Sequence, residues 1–145
     1  MVDDVRELDL SPDVVKLLIE VWGIERLHPP QAEAMPIALS GQNLLLAIPT
    51  ASGKSLVAYL AMLQRLLVDS PGSRAFYLVP LKALAAEKVE DLRQAGDRLG
   101  LLVGMAIGDR SGETVSLDEA DIIVATSEKF DSLMRNKTDF LNQVR

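Results

Sequence analysis

Gly53, Lys54 and Ser55 are residue types that together hold a polyphosphate. They close the stretch Ala47-Ile48-Pro49-Thr50-Ala51-Ser52-Gly53-Lys54-Ser55. Glycine lets the backbone approach closely, lysine supplies a cation for the β- and γ-phosphates, and the serine hydroxyl is a ligand for Mg²⁺. Backbone N–H groups of such a loop and of the helix that follows point at the phosphates. Pro49, Thr50, Ala51, Ser52, Gly53, Lys54 and Ser55 are therefore candidate nucleotide contacts, with Lys54 the candidate catalytic cation and Ser55 the candidate metal ligand. The strict pattern begins with Gly, where this chain has Ala47. A second candidate is acidic: Asp118-Glu119-Ala120-Asp121. Two carboxylates there would have the right charge to hold Mg²⁺ and activate water.

The elements around these residues decide between them. Ser11-Pro12 reads as an N-cap with Pro at the first helical position. Val14, Val15, Leu18, Val21 and Trp22 follow at helical spacing, with a stop near Gly23. His28-Pro29-Pro30 is a rigid break, and a short helix is predicted over 31–39. Leu44-Leu45-Leu46-Ala47-Ile48 is an uninterrupted apolar run, the pattern of a strand buried on both faces. A turn over 49–53 and a helix over 54–68 follow. The cycle repeats: strand 75–79, helix 81–95, strand 101–107 ending at Gly108-Asp109, strand 122–125, helix 127–134. Strands alternating with helices predict an α/β fold, a parallel sheet in three layers with helices on both faces. Ligands in such sheets sit at the carboxyl ends of the strands.

That geometry separates the two candidates. The phosphate loop follows an apolar run, as it must. The acidic residues precede theirs: Gly112 to Leu117 is polar, and Ile122–Ala125 comes afterwards. Asp118 and Glu119 would lie at the opposite edge of the sheet from Lys54. A strand of that length spans roughly 13–17 Å, too far for a shared Mg²⁺. Asp118–Asp121 are predicted to be solvated loop residues leading into the strand.

With Ala47 in first place and Pro49-Thr50 following, the phosphate loop resembles motif I of superfamily 2 helicases. Leu27-His28-Pro29-Pro30-Gln31 resembles the adenine-reading Q-type motif of the Ski-like branch, which includes archaeal DNA-unwinding enzymes. Tyr77 to Ala85, with Pro80-Leu81-Lys82 at its centre, resembles motif Ia. Gly108-Asp109 resembles the short Gly-Asp element, and Ala125-Thr126-Ser127-Glu128-Lys129 resembles motif Ib, with Ser127 where Pro is usual. The resemblance covers about residues 23 to 135. It implies a P-loop, RecA-like motor domain that uses ATP and Mg²⁺ and travels on single-stranded nucleic acid. Gln31 would bond the adenine edge through its carboxamide, with Leu27 and Pro30 against the ring face. Pro80, Leu81, Lys82, Thr126 and Lys129 would line the strand path, through helix-start amides and two cations. Glu128 is expected to cap its helix or pair locally, because it would repel phosphate.

The resemblance also implies a division: residues 1–40 as a helical segment with the adenine-reading motif, and residues 41–145 as a partial motor domain, truncated before motif II. In the family motif II follows motif Ib, so its carboxylates and the second motor domain are expected beyond Arg145. The parent would be an ATP-dependent helicase, DNA favoured over RNA, and the isolated chain is expected to hydrolyse ATP poorly or not at all. An RNA helicase of the same branch and a nucleotide-binding module that never hydrolyses are the alternatives. A small-molecule kinase would fit motif I alone.

Composition sets outer limits. The chain has 145 residues, 48% hydrophobic and 25% charged, enough for a core and typical of one domain. A net charge of −6 argues against a broad nucleic-acid-binding face, though not against a narrow strip of amides and a few cations. With no Cys and a single His there is no disulfide framework and no His/Cys metal cluster. No apolar run is long enough to span a bilayer. An intracellular, soluble, cytoplasmic setting is the expectation.

Overall fold

The computed structural model describes residues 2–48, 53–107 and 117–135. They fall into two compact units, Met1–Pro71 and Gly72–Arg145.

The first unit is helical. Ser11 accepts the Asp13 N–H and caps α1 (Pro12–Glu20), with Pro12 where no donor is needed. Val14, Leu17 and Leu18 form the buried stripe of α1. Helix α2 (Pro29–Leu39) starts two residues earlier than the sequence predicts. Pro29 and Pro30 serve as its first turn, because the proline ring is preset for a helix start and clashes only with a preceding turn. Helix α3 (Lys54–Gln64) packs on α2 and passes into a wider π-type turn, Arg65–Asp69. The predicted single helix over 54–68 is thus two segments. Leu17, Leu18, Met35, Leu60 and Leu63 are fully enclosed, and the Trp22 and Tyr59 rings lie 5.8 Å apart. Gln64 is buried among them, its Oε1 accepting the Ser11 N–H at 2.9 Å and tying the end of α3 to the start of α1.

The extreme N-terminal segment is strapped to the approach to α2. The Val5 N–H donates to the Glu25 carbonyl and the Leu27 N–H to the Asp3 carbonyl. Arg6 and Arg26 pair with Asp4, Glu25 and Asp3 around these bonds. The Arg6 N–H, and then the Arg6 and Arg26 charges, hold the Asp4 carboxyl below its usual range.

Residues 44–48 depart from expectation. They are neither strand nor buried: Leu45 is 94% exposed and Leu44 37%. An apolar run becomes a buried strand only beside a neighbour that takes its N–H and C=O groups. Among the described residues, no strand pairs with it.

The second unit matches the predicted alternation closely: β1 (Ala75–Val79), α4 (Lys82–Leu99), β2 (Val103–Ala106), β3 (Ile122–Thr126) and α5 (Ser127–Arg135). The strands are all parallel in the order β1-β3-β2, with Val79 opposite Thr126 and Ala106 opposite Ala125. Their carboxyl ends therefore share one edge. All five residues of β3 are buried, as a central strand covered on both faces requires. Phe130 and Leu133 of α5 pack with Ile123, Ala125 and Phe76, and the Phe76 and Phe130 rings meet edge-on at 4.8 Å. Helix α4 packs against all three strands. It runs four residues past its predicted end at Ala95, through buried Gly96, and stops at Gly100, which takes φ +74°. Gly96 is required there: a Cβ would stand 2.5 Å from the Leu101 carbonyl oxygen. The result is the α/β parallel sheet the sequence predicts. No described helix is long and apolar enough to cross a membrane.

Candidate functional site

In the first unit, Gly53 takes φ +74° and caps α3, a conformation that favours glycine. Lys54 and Ser55 are the first residues of that helix, where the positive helix end favours an anion. Pro49, Thr50, Ala51 and Ser52 lie outside the described residues, as does Gly108-Asp109. The Lys54 side chain reaches a cavity of about 270 Å³ lined also by Ala38, Leu44, Leu46 and Val57. Gln31 is 4% exposed, and both ends of its carboxamide are engaged. Its Oε1 accepts the His28 N–H at 2.8 Å, and its Nε2 donates to the Gly53 carbonyl at 3.1 Å. A Cβ at position 53 would collide with that carboxamide. The adenine-reading candidate and the phosphate-loop glycine are therefore in direct contact. Leu27 is buried within the protein, while Pro30 stays partly open beside a second small cavity. A left-handed glycine, a lysine and a serine at a helix start fit a magnesium–nucleotide. Among the described residues, no cluster of three or more His, Asp or Glu offers another cation site.

In the second unit, Pro80, Leu81, Lys82, Thr126 and Lys129 line one groove of about 600 Å³, together with Glu128 and Ser132. The parallel register explains the convergence. Val79 and Thr126 are partners at the ends of adjacent strands, so the turn into α4 and the start of α5 emerge side by side. Pro80, Leu81 and Lys82 are exposed. Thr126 is 7% exposed, and its Oγ1 accepts the Lys129 N–H at 3.3 Å, so its hydroxyl caps α5. The remaining first-turn amides of α5 are left for the groove. Glu128 stands in the first turn of α5, where a carboxylate suits the helix end as expected, but the expected local pairing is not seen. Among the described residues it makes no ion pair with Lys82 or Lys129, and its side chain lines the groove. Ser132 was not anticipated, although its spacing of three and four from Lys129 and Glu128 puts it on the same helix face.

Asp118–Asp121 stand at the other end of β3. Asp118 and Glu119 are exposed in a turn, as predicted. Asp121 is more than a solvated residue: its Oδ2 accepts the Leu102 N–H at 2.9 Å, and its backbone bonds Leu102 and Ala75. The Arg74 guanidinium donates to the carbonyls of Leu117, Asp118 and Ala120. No local pattern around Arg74 announces this role, because its acceptors lie more than forty residues ahead.

A family model described as DEAD/DEAH box helicase matches residues 28–145. The chain belongs to the DEAD/DEAH box helicase family. Among relatives of this helicase family member, an ATP-dependent DNA helicase Hel308 of Pyrococcus abyssi is 49% identical over 142 residues, covering 97% of this chain and 19% of the relative. One of the same description from Methanocella arvoryzae is 47% identical over 95% of this chain and 19% of its own length. The chain thus spans about a fifth of the length of these curated helicases. Relatives described as ATP-dependent DNA helicases agree with the resemblance read from the sequence motifs. Among solved structures, S. cerevisiae Dbp5 bound to RNA and ADP BeF3 superposes with a TM-score of 0.79 at 24% identity, over 94% of this chain and 35% of that one. Helicase MrfA bound to DNA and AMPPNP gives 0.76 at 26% identity, over 91% of this chain and 19% of that one. The fold is therefore that of RecA-like helicase domains.

Proposed function

We propose that this chain is the ATP-binding and strand-gripping part of a helicase that couples hydrolysis to movement along single-stranded DNA. The observation that carries this reading is the convergence of Pro80, Leu81, Lys82, Thr126 and Lys129 on one groove at the carboxyl edge of the sheet. Names of the curated relatives favour DNA over RNA. Residues 1–40 carry the adenine-reading segment, and residues 41–145 belong to the motor. Lys54 holds the β/γ-phosphates, Ser55 holds Mg²⁺, and the Gln31 carboxamide, already bonded to His28 and Gly53, has its second lone pair and second donor hydrogen for the adenine edge. Bound Mg²⁺ supplies charge neutralisation at the phosphate oxygens. The helix-start amides of α4 and α5, with Lys82 and Lys129, take backbone phosphates. Pro49, Thr50, Ala51 and Ser52 complete the phosphate cradle.

Hydrolysis needs a metal, a water-positioning carboxylate and a charge-stabilising Arg together. Glu119, at the far edge of the sheet, supplies no such carboxylate, so the 145-residue chain binds ATP without turning it over. A fluorescent ATP analogue is expected to bind the wild-type chain and to be lost in Lys54→Ala. A labelled oligothymidylate should be displaced more readily by DNA than by oligouridylate. Turnover by this chain that disappears in Glu119→Gln would overturn the assignment.

A further inference from the structure

Among the described residues, Glu128 is the one carboxylate lining a groove that otherwise offers Lys82 and Lys129 to an anion. It is exposed, it stands in the first turn of α5, and no ion pair with either lysine neutralises it among the described residues. Its position between the Thr126 cap and Ser132, four residues on, directs it along the groove face of the helix. The positive end of α5 favours a carboxylate there, which accounts for its tolerance in the fold. A phosphate held by the first-turn amides of α5 would share that turn with the carboxylate. Like charges within a Debye length of about 8–10 Å repel appreciably at physiological salt.

We infer that Glu128 is an affinity-limiting residue of the strand groove, an anionic counterweight that weakens the hold of Lys82, Lys129 and the helix-start amides on a nucleic-acid backbone. This rests on the strand-binding reading of the groove. Glu128 touches no reacting group. Its consequence is a shallow bound state: one backbone phosphate is held and repelled within the same helical turn, so the strand exchanges readily.

The test uses the full 145-residue chain and fluorescence anisotropy with a labelled oligothymidylate across a salt series, on wild type, Glu128→Gln, Glu128→Lys and the Lys82→Ala/Lys129→Ala double variant. Glu128→Gln is expected to tighten binding about 3-fold near 50 mM salt and Glu128→Lys about 10-fold, both gains shrinking towards unity as salt rises. The double lysine variant is expected to weaken it about 10-fold. Affinity for a fluorescent ATP analogue should stay unchanged in all of them. If the lysine variant weakens binding while Glu128→Gln leaves it unchanged or weaker, the groove reading stands and the role of Glu128 is refuted. If no variant binds, Glu128→Lys included, or the lysine variant binds like wild type, the groove reading falls and the inference with it. Thermal melts separate a capping role: a carboxylate needed only by the helix lowers Tm in Glu128→Gln with no gain in affinity.

Discussion

At the amino end of β3, Asp118–Asp121 is a turn tied down from outside: the Arg74 guanidinium takes three backbone carbonyls, and the Asp121 carboxylate takes the Leu102 N–H. At the carboxyl end, Thr126–Lys129 is a helix start held, among the described residues, by the Thr126 cap, and Thr126, Glu128 and Lys129 line a groove of about 600 Å³. One end is rich in charged letters, of which Asp121 serves the fold. The other has two, Glu128 and Lys129, and presents both to the groove. Chemical availability follows from the direction of the strand. In a parallel sheet the carboxyl edge meets helix starts, with their free N–H groups, while the amino edge meets chain arriving from helices and loops.

The largest expected effect lies at the closed end. Arg74→Ala leaves three carbonyls without their donor and should destabilise the chain by about 2–3 kcal/mol in urea denaturation; an intact oligothymidylate affinity in the folded protein would confirm that the two ends are separate. At the open end, the Lys82→Ala/Lys129→Ala double variant should lose about 10-fold in strand affinity with stability within about 0.5 kcal/mol of wild type, since both are surface cations. A drop in Tm without a drop in affinity would reverse the assignment of the two ends. Thr126→Ala removes the cap of α5 and should cost about 1 kcal/mol by thermal melting, more than Ser127→Ala beside it. The smallest effect belongs to Glu119→Gln. Exposed in its turn, it should shift stability by less than about 0.5 kcal/mol and leave nucleotide binding unchanged. A measurable loss of either would make the acidic end more than structural.

The sequence made the second unit legible because its signals are local. Ala75–Val79 and Ile122–Ala125 are apolar runs bounded by polar turns, and both are strands to within one residue. Ser11-Pro12 announces α1 by its cap chemistry. The error at Leu44–Ile48 has the opposite origin. Hydropathy reports that a run is willing to be buried, but a strand also needs a neighbour, and no residue in the run encodes one. The extension of α4 past Ala95 was misread for a simpler reason. The helix passes through Gly96, whose missing Cβ is needed for the close approach of Leu101, and the left-handed stop is Gly100. The pairing of Gln31 with Gly53 is a contact across 22 residues, visible as two motifs but not as a hydrogen bond. Five groove residues could be named from motif resemblance, but not the carboxylate beside them, Glu128, because charge alone does not tell which way a side chain leans.

The strand order β1-β3-β2 has a consequence in time. In the described sheet both outer strands pair only with β3, and β3 is the last of the three in the sequence. During synthesis β1 and β2 leave the ribosome without a ladder to join, and the sheet begins only after residue 126 has emerged. Joining β1 to β3 closes a loop of more than forty residues before the first backbone bond between them forms, an entropic delay typical of non-local pairing. For that interval the nascent chain holds its apolar strands as separate ribbons, and its helices alone can be formed early.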